Sequence, residues 1–412
     1  MNPDTASASL RSVDDHLADV LSVVKPLHPL EVGLLDAHGC ILAEDVLATA
    51  PLPGFDNSSM DGYAVRAADV ATVPAVLHVV GDVAAGPASM LRVQPGLCVR
   101  IMTGAMMPRG ADAVVPVEWT DGGTAQVRID RRPDVGAYIR RTGEEVAAGE
   151  VVLPVGTHLG SAQIGLAAAV GRSRLFVRPR PRVVVVSTGS ELIEPGTPLE
   201  PGQIPDSNSF ALTTACIEAG AIAYRVGIIP DDPRKLLDAL EDQLVRADLL
   251  VTSGGVSVGA YDVVKEVLSR LGTVGFHKVA MQPGMPQGFG TIGPESTPVF
   301  GLPGNPVSAM VSFEAFVRPA LRRMLGAEPI IRPVVSAVTT ADLQSPLGKR
   351  SFLRVWLEVQ EGRYVVAPVS GPGSHLVVGM ARANALAIVH EAIEHVPAGT
   401  AVQVMLLERR SQ

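Results

Sequence analysis

Cysteine and aromatic residues are scarce in this sequence of 412 residues. The three cysteines, Cys40, Cys98 and Cys216, stand far apart, and no Cys-x-x-Cys pair occurs. An odd, sparse set of this kind is typical of a reducing compartment, and it excludes a disulfide framework or a thiolate zinc site. The nine histidines show no His-x-x-x-His spacing either.

Long apolar runs and an excess of basic residues are also absent. No apolar run reaches the ~18–20 residues that a membrane helix needs, and the sequence start lacks the basic region and apolar stretch of a signal peptide. The formal net charge of −8 and the aromatic content of 4% argue against a dedicated nucleic-acid binder. We therefore expect a cytoplasmic protein that binds neither membrane nor nucleic acid, although local cations and backbone amides can still bind a small anion.

The residues that are abundant predict a multidomain protein of α/β plus β class. The hydrophobic content of 47% is enough for a sizeable core, and the length predicts two to four domains. Short β-rich runs with Gly/Pro turns fill residues 30–180 and return after Pro333. Between them, the buried-strand pattern at 183–186 begins an alternation of strands and helices. This order predicts a central parallel, doubly wound α/β domain flanked by β-rich domains, with a terminal β-barrel or sandwich.

Helix signals give the approximate element bounds. Ser12 and Asp15 form the pattern of a capping box before an apolar helical stripe that ends at Pro26. One short helix is predicted at 161–170. In the central domain, helices are predicted at 208–218, 233–246, 261–271 and 307–325, and strands at 183–186, 223–229, 249–252, 274–281 and 299–302.

Three glycine-bearing loops, at 187–191, 253–259 and 302–306, follow strands of the central domain. Ligands of open α/β sheets bind outside the carboxyl ends of the strands. Glycines let backbone N–H groups approach a phosphate, and a helix N-terminus adds partial positive charge. One such loop is first of all a turn signal, but three at one sheet edge predict a shared anion site. Its candidate binding residues include Gly254, Gly255 and Ser257.

Acidic residues gather at the same edge. Glu191 follows the first strand, Asp231 and Asp232 follow another, and Asp262 lies beyond the Gly-Gly loop. Asp232 before a proline is typical of a helix cap, and Asp262 in a first helical turn is favoured by the helix dipole. Carboxylates beside a phosphate loop are also the ligands that Mg²⁺ prefers.

Several long motifs make the chain resemble the molybdopterin molybdenumtransferase family, the MoeA type that also forms the E domain of gephyrin. The motifs run in order along most of the chain: FDNSSMDGYAV (55–65), RIMTGA (100–105), GADAVV (110–115), RRTGEEV (140–146), STGSEL (187–192), SGGVSVG (253–259), GLPGNPVS (301–308) and GPGSHL with MARANAL (371–386).

The resemblance implies a reaction and an architecture. Family members take adenylylated molybdopterin, cleave its phosphoanhydride bond and insert molybdate with release of AMP, in the presence of Mg²⁺. They are elongated homodimers, and their α/β domain resembles the adenylyltransferase of the preceding step, a potential partner. The implied domains here are 1–48 with 141–180 (helical and extended), 49–140 (inserted, β-rich), 181–328 (molybdopterin-binding) and 329–412 (β-barrel).

The resemblance also implies residue roles, carried over motif by motif. The acidic and metal-binding set would be Glu191, Asp231 and Asp262. The β-rich domain would contribute Asp61, Thr103, Arg140 and Glu145. The phosphate loop would use Pro303, Asn305 and Pro306, the molybdate end Arg350 and Ser374, and Lys278 would be a further catalytic cation. Asp61 or Asp262 would orient water or a protonated oxo group.

One departure from the family pattern concerns two cations. The family commonly shows Lys-Pro-Gly-Lys-Pro where this chain has Gln282 and Met285. Each lost phosphate contact of this kind removes roughly 1–3 kcal/mol of charge-assisted hydrogen bonding. A non-catalytic cofactor carrier or scaffold, or a divergent paralogue with an altered ligand, is therefore the alternative interpretation. The retained carboxylates favour an enzyme, because a passive binder does not need negative charge beside a phosphate.

Overall fold

The computed structural model describes residues 10–86, 91–254, 263–369, 371 and 373–407. The chain divides into two compact units. One contains the described residues of Met1–Leu30, Gly39–Ile41 and Arg178–Gln412, and the other contains Glu31–His38 and Leu42–Val177. In the described part of the chain, no helix is both long and apolar enough to cross a membrane.

The smaller unit is built around a five-stranded sheet. Its strand order is Ala113–Pro116, Gly62–Val65, Leu97–Ile101, Ala75–Val83 and Gln126–Ile129. Tyr63 is fully buried in its core, and the Tyr63 hydroxyl donates to the carbonyl of Gly123 at 3.0 Å. Burial of the ring explains why an aromatic residue follows the polar stretch at 56–61. The other elements are Val46–Leu47, Asn57–Ser58, Ile139–Arg140, Val151–Leu153, the 3₁₀ turns Ala67–Val70 and Val117–Trp119, and helix Ser161–Ala169. Short strands Leu30–Gly33, Ile41–Leu42 and Arg174–Arg178 lie where the chain passes from one unit to the other.

The larger unit contains the predicted α/β domain. Its sheet has the order Ile222–Ile229, Arg182–Thr188, Leu249–Ser253, Thr297–Leu302, Pro286–Ile292 and Gly272–Lys278. The valine run at 183–186 is fully buried, with Val183 and Val185 in one core and Val184 and Val186 in another. Successive side chains of a strand point to opposite faces, so this run confirms a sheet covered on both sides.

Two strands at one edge differ from the predicted all-parallel sheet. The first four strands pair in parallel, whereas Pro286–Ile292 and Gly272–Lys278 are antiparallel additions. The sequence did not predict Pro286–Ile292, because proline and glycine disfavour strands. A side chain does not fit at Gly290, whose Cβ would lie 2.0 Å from the carbonyl oxygen of Thr273. Close backbone approach therefore explains Gly290, whereas a Cβ at Gly288 would lie 2.8 Å from the ring of Phe276.

The helices of this unit follow the sequence signals closely. Their bounds are Val13–Val23, Asn208–Glu218, Pro233–Leu244 and Val263–Leu271, and the predicted long helix is Pro306–Ser312, a π turn at Phe313–Val317, and Arg318–Leu325. Ser12 caps the first helix by accepting from the backbone N–H of Asp15 at 3.0 Å. Gly326 ends the long helix in the left-handed conformation, with a φ of 69°, as a C-terminal glycine usually does.

The predicted C-terminal barrel is confirmed. Strands Arg350–Gln360, Arg363–Pro368, Val334–Thr339, Ala401–Leu406 and Ala385–Val389 pair in this order, and the last pairs back to the first. Strand Met281–Gln282 extends this barrel beside Arg350 and Ser351. The short strands Ile204–Pro205 and Leu192–Ile193 pair with each other, as do Leu343–Gln344 and His395–Val396; helix Val377–Arg382 completes the unit.

Candidate functional site

A cavity of about 630 Å³ lies at the carboxyl edge of the parallel strands in the larger unit. All three predicted loops contribute described residues to it, so the three loops share one cavity. The lining includes Thr188, Gly189, Glu191, Asp206, Asn208, Asp231, Ser253, Gly254, Pro303, Gly304, Asn305, Pro306 and His375. We call this space the acidic cavity.

Asp231 fixes the first loop of the acidic cavity. Its Oδ2 accepts a hydrogen bond from the backbone N–H of Ser190 at 3.0 Å and one from the Ser190 hydroxyl at 3.2 Å. Asp231 therefore holds the residue that precedes Glu191. Asp232 has the separate role that the sequence predicted, because it caps helix Pro233–Leu244 by accepting from the N–H groups of Arg234 and Lys235. These bonds lower the pKa of Asp232.

The second and third loops are also fixed by specific contacts. Gly254 has a φ of 99°, and a Cβ there would lie 2.5 Å from the carbonyl oxygen of Thr188. Only glycine satisfies both constraints. In the third loop, Asn305 donates to the hydroxyl of Ser374 at 3.1 Å, and the backbone N–H of Val307 donates to the Ser374 carbonyl at 3.0 Å. Ser374 thus joins the loop that the sequence assigned to phosphate binding.

The acidic cavity has an uneven charge distribution. Its described lining contains the carboxylates of Glu191, Asp206 and Asp231 and contains neither lysine nor arginine. His375 is the single described lining residue that can become cationic. Backbone N–H groups and hydroxyls of this lining can hold an anionic guest, but the carboxylates disfavour it unless a cation binds with it.

Three lining residues were missed by the sequence reasoning: Asp206, Asn208 and His375. Asp206 is 1% exposed and accepts from the hydroxyls of Ser187 at 3.1 Å and Ser209 at 2.5 Å. Asp206 and Asn208 lie at the start of helix 208–218, where a polar residue is typical of an ordinary helix cap. His375 belongs to the GPGSHL motif, and no other histidine or carboxylate stands at a spacing from it that would predict a site.

Three predicted site residues of the larger unit, Arg350, Ser374 and Lys278, are not among the described residues that line the acidic cavity. The guanidinium of Arg350 donates two 2.7 Å hydrogen bonds to the carboxylate of Asp14 and contacts Glu391 at 3.0 Å. The Asp14 hydrogen bond raises the pKa of Arg350. Lys278 is exposed at the end of its strand.

The loop that carries Gln282 and Met285 runs between two cavities. Gln282 lines a second cavity of about 220 Å³ in the barrel region, together with Ser351 and Arg354. Pro286, at the other end of the loop, lines the acidic cavity. Met285, which lies between Gln282 and Pro286 in the sequence, is half-buried.

In the smaller unit, the predicted site residues Asp61 and Thr103 are in direct contact. Oδ1 of Asp61 accepts from the backbone N–H of Thr103 at 2.7 Å and from its hydroxyl at 2.8 Å. Both hydrogen bonds lower the pKa of Asp61, and the backbone hydrogen bond makes the larger contribution. Arg140 and Glu145 are exposed at the two ends of the RRTGEE loop.

A similar arrangement anchors that loop. Asp56 accepts from the backbone N–H and hydroxyl of Thr142 at 2.8 and 2.9 Å, and from the guanidinium of Arg141 at 2.7 Å. The remaining predicted residues Gly255, Ser257 and Asp262 lie outside the described residues.

Comparisons with known proteins agree along the chain. Three family models match in succession: the MoeA N-terminal region (domain I and II) at 11–171, the probable molybdopterin binding domain at 184–323 and the MoeA C-terminal region (domain IV) at 336–407. Molybdopterin molybdenumtransferase 2 of Mycobacterium tuberculosis is 49% identical over 405 residues, covering 96% of this chain and 99% of the relative. Molybdopterin molybdenumtransferase of Bacillus subtilis is 36% identical over 390 residues, covering 92% and 90%.

A solved structure supports the same assignment. The molybdopterin biosynthesis MoeA protein from Pyrococcus horikoshii has a TM-score of 0.79 and 33% identity, covering 97% of this chain and 100% of its own. The fold and site thus define a transferase of molybdenum cofactor biosynthesis. The chain belongs to the molybdopterin molybdenumtransferase family of the MoeA type.

Proposed function

We propose that the chain inserts molybdate into adenylylated molybdopterin, with cleavage of the phosphoanhydride bond, release of AMP and dependence on Mg²⁺. The observation that carries this proposal is the acidic cavity, where three glycine-bearing loops meet three carboxylates at the carboxyl edge of one sheet. The names of the relatives support the substrate class. The homodimer, the cytoplasmic location and contact with the preceding adenylyltransferase belong to the same proposal.

The charge balance of the acidic cavity supports the metal requirement. Glu191 and Asp231 both line it, without a lysine or arginine among the described lining residues. Mg²⁺ is bound in proteins by one or two carboxylates together with waters and substrate phosphates, so this donor set fits. No group of three or more His, Cys, Asp or Glu in the described part of the chain could hold a metal by itself. Substrate oxygens would therefore complete the coordination, with Asp262 as a further ligand.

The protein's own contribution to the reaction is position and charge. Phosphoanhydride cleavage needs in-line alignment and charge neutralisation more than covalent help. When bound, Mg²⁺ would neutralise charge that develops on the leaving phosphate. The loops at Ser253–Gly254 and Pro303–Pro306 would hold the phosphate through backbone N–H groups and hydroxyls. The hydrogen bonds from Thr103 stabilise the ionised form of Asp61 and lower its pKa, and this carboxylate would orient water or accept a proton.

The second candidate function is that of a non-catalytic carrier of the cofactor, and a specific observation favours it. The loop at 282–286 presents Gln282 and Met285 where the family commonly has two lysines. Without these two lysines, the chain lacks two cations that would stabilise the anionic ligand and the charge that develops during phosphoanhydride cleavage. A carrier would bind adenylylated molybdopterin and leave the phosphoanhydride intact.

A molybdate-dependent AMP-release assay separates the two candidates. The full chain is mixed with adenylylated molybdopterin, Mg²⁺ and molybdate, and AMP is measured by chromatography while binding is measured by calorimetry. The enzyme interpretation predicts AMP release that stops when EDTA removes the metal and returns with Mg²⁺. Binding without AMP release would identify a carrier.

A further inference from the structure

One side chain joins two of the loops that line the acidic cavity. Nδ2 of Asn208 donates to the hydroxyl oxygen of Ser253 at 2.8 Å and to the carbonyl oxygen of Gly304 at 2.7 Å. Both amide hydrogens are therefore used. Since a carbonyl can only accept, the contact with Gly304 also determines which amide atom is the nitrogen.

The two loops belong to different strands. Ser253 is the last residue of strand Leu249–Ser253, and Gly304 lies between strand Thr297–Leu302 and the helix that begins at Pro306. Asn208 belongs to neither, because it is the first residue of helix Asn208–Glu218. The contact therefore connects a third element to both loops.

The start of that helix is itself firmly held. The buried carboxylate of Asp206 accepts from the backbone N–H of Ser209 at 3.1 Å and from its hydroxyl at 2.5 Å. Nε of Arg225, on the neighbouring strand, donates to the same hydroxyl at 2.6 Å. Asn208 thus projects from a fixed point, which a positioning group requires.

We infer that Asn208 is a positioning residue that sets the separation of the Ser253–Gly254 loop and the Gly304–Pro306 loop around the phosphate. The inference rests on the proposed function, since those loops are where we place the phosphoanhydride. Glycine-bearing loops have more conformational freedom to lose than ordinary segments. A displacement of about 1 Å in a reacting geometry can cost roughly 100-fold in rate, so a fixed loop separation matters for the chemical step.

The test uses two substitutions at Asn208 and a matched control in the barrel. Asn208→Ala removes both hydrogen bonds, and Asn208→Asp keeps the size of the side chain but cannot donate when ionised. Asn384 offers the control, because its amide also makes two hydrogen bonds, to the backbone O and N of Leu357 at 2.8 and 2.6 Å. Asn384→Ala removes comparable bonds away from the acidic cavity.

The inference predicts a kinetic difference between the two sites. Both Asn208 variants should lower kcat for AMP release by about 10-fold or more, with KM for adenylylated molybdopterin changed less than about threefold, because the binding groups themselves remain. Asn384→Ala should keep kcat near that of the parent protein even where its Tm falls. Equal kcat losses in the Asn208 and Asn384 variants, or an unchanged kcat in Asn208→Ala, would overturn the inference.

A second readout does not depend on activity. Hydrogen exchange of the backbone amides at 304–308 should become faster in Asn208→Ala and remain at the parent rate in Asn384→Ala. If the parent protein releases no AMP but this difference is found, the proposed function fails and the positioning contact stands. If exchange at 304–308 is the same in all three proteins, Asn208 does not hold the loops.

Discussion

A single carboxylate oxygen of Asp61 accepts both the backbone N–H and the hydroxyl of Thr103. The described part of the chain shows no hydrogen bond to the second carboxylate oxygen, which can therefore accept from a ligand or water. Since the hydrogen bonds stabilise the charged form, they lower the pKa of Asp61. The pair presents an ionised acceptor at the surface of the smaller unit.

The first prediction concerns that pair. Asp61→Asn should lower kcat for AMP release by roughly 100-fold, a size typical of the loss of a proton-accepting group, with little change in Tm because the side chain is exposed. Thr103→Ser, which keeps the hydroxyl and the backbone N–H, should retain most of the activity. Steady-state kinetics with both variants checks this. Full activity in Asp61→Asn would remove this carboxylate from the mechanism.

The second prediction concerns the two missing lysines. The double variant Gln282→Lys, Met285→Lys should bind adenylylated molybdopterin at least about 10-fold more tightly, because a charge-assisted contact contributes roughly 1–3 kcal/mol. Calorimetric titration measures the affinity, and the AMP-release assay shows whether kcat follows.

Gln360→Lys supplies the control for added charge. Gln360 is exposed at the far end of the barrel strand Arg350–Gln360, so this variant adds a cation away from both cavities. An equal gain in affinity would mean that overall charge, and not the position of the 282–286 loop, determines binding.

The third prediction concerns pH and His16. His16 is 1% exposed, lies with its ring centroid 4.7 Å from that of Phe316, and neither ring nitrogen has a hydrogen-bond partner in the described part of the chain. Burial, with smaller contributions from Arg11 and His277, lowers the pKa of His16 to about 4. The unfolded chain therefore binds this proton more readily, and the stability that neutral His16 provides is lost as pH falls from 6.5 towards 4.

The expected loss is roughly 3 kcal/mol of unfolding free energy once His16 is fully protonated. His16→Leu should reduce the decline of Tm between pH 6.5 and pH 4, because it removes the titrating group. His28→Gln, which changes an exposed histidine, should keep the parent pH dependence. Thermal unfolding across this pH range compares them, and identical curves for His16→Leu and the parent protein would contradict the assignment.

The fourth prediction concerns a buried ion pair at the π turn. Glu314 accepts from Nε and Nη2 of Arg332 at 2.6 and 3.1 Å, and both side chains are nearly inaccessible. Glu314→Gln removes the carboxylate charge that faces the buried guanidinium of Arg332, so the unfolding free energy should fall by about 3–5 kcal/mol. The exposed pair Glu266–Arg270 provides the control, and Glu266→Gln should cost less than about 1 kcal/mol. Similar Tm values for the two variants would refute the contrast.

The sequence predicted the elements that local signals specify. The valine run predicted a buried strand and Ser12 predicted a helix cap, and the structure confirmed both. The antiparallel strand Pro286–Ile292 was missed, because the need for its glycines comes from the neighbouring strands, as at Gly290 beside the carbonyl oxygen of Thr273. The roles predicted for Glu191, Asp231 and the other site residues stay predictions.

What the sequence determined by itself is the order of β-rich, α/β and barrel segments, the three loops at strand ends and the family to which the chain belongs. Periodicity, capping and turn residues act over a few neighbours, so they can be read without coordinates. Only the tertiary structure decided that Asn208 bridges Ser253 and Gly304, and that Arg350 pairs with Asp14. These contacts join residues 45 to 336 positions apart, and hydrogen bonds between distant segments leave no local pattern because only the fold brings their partners together.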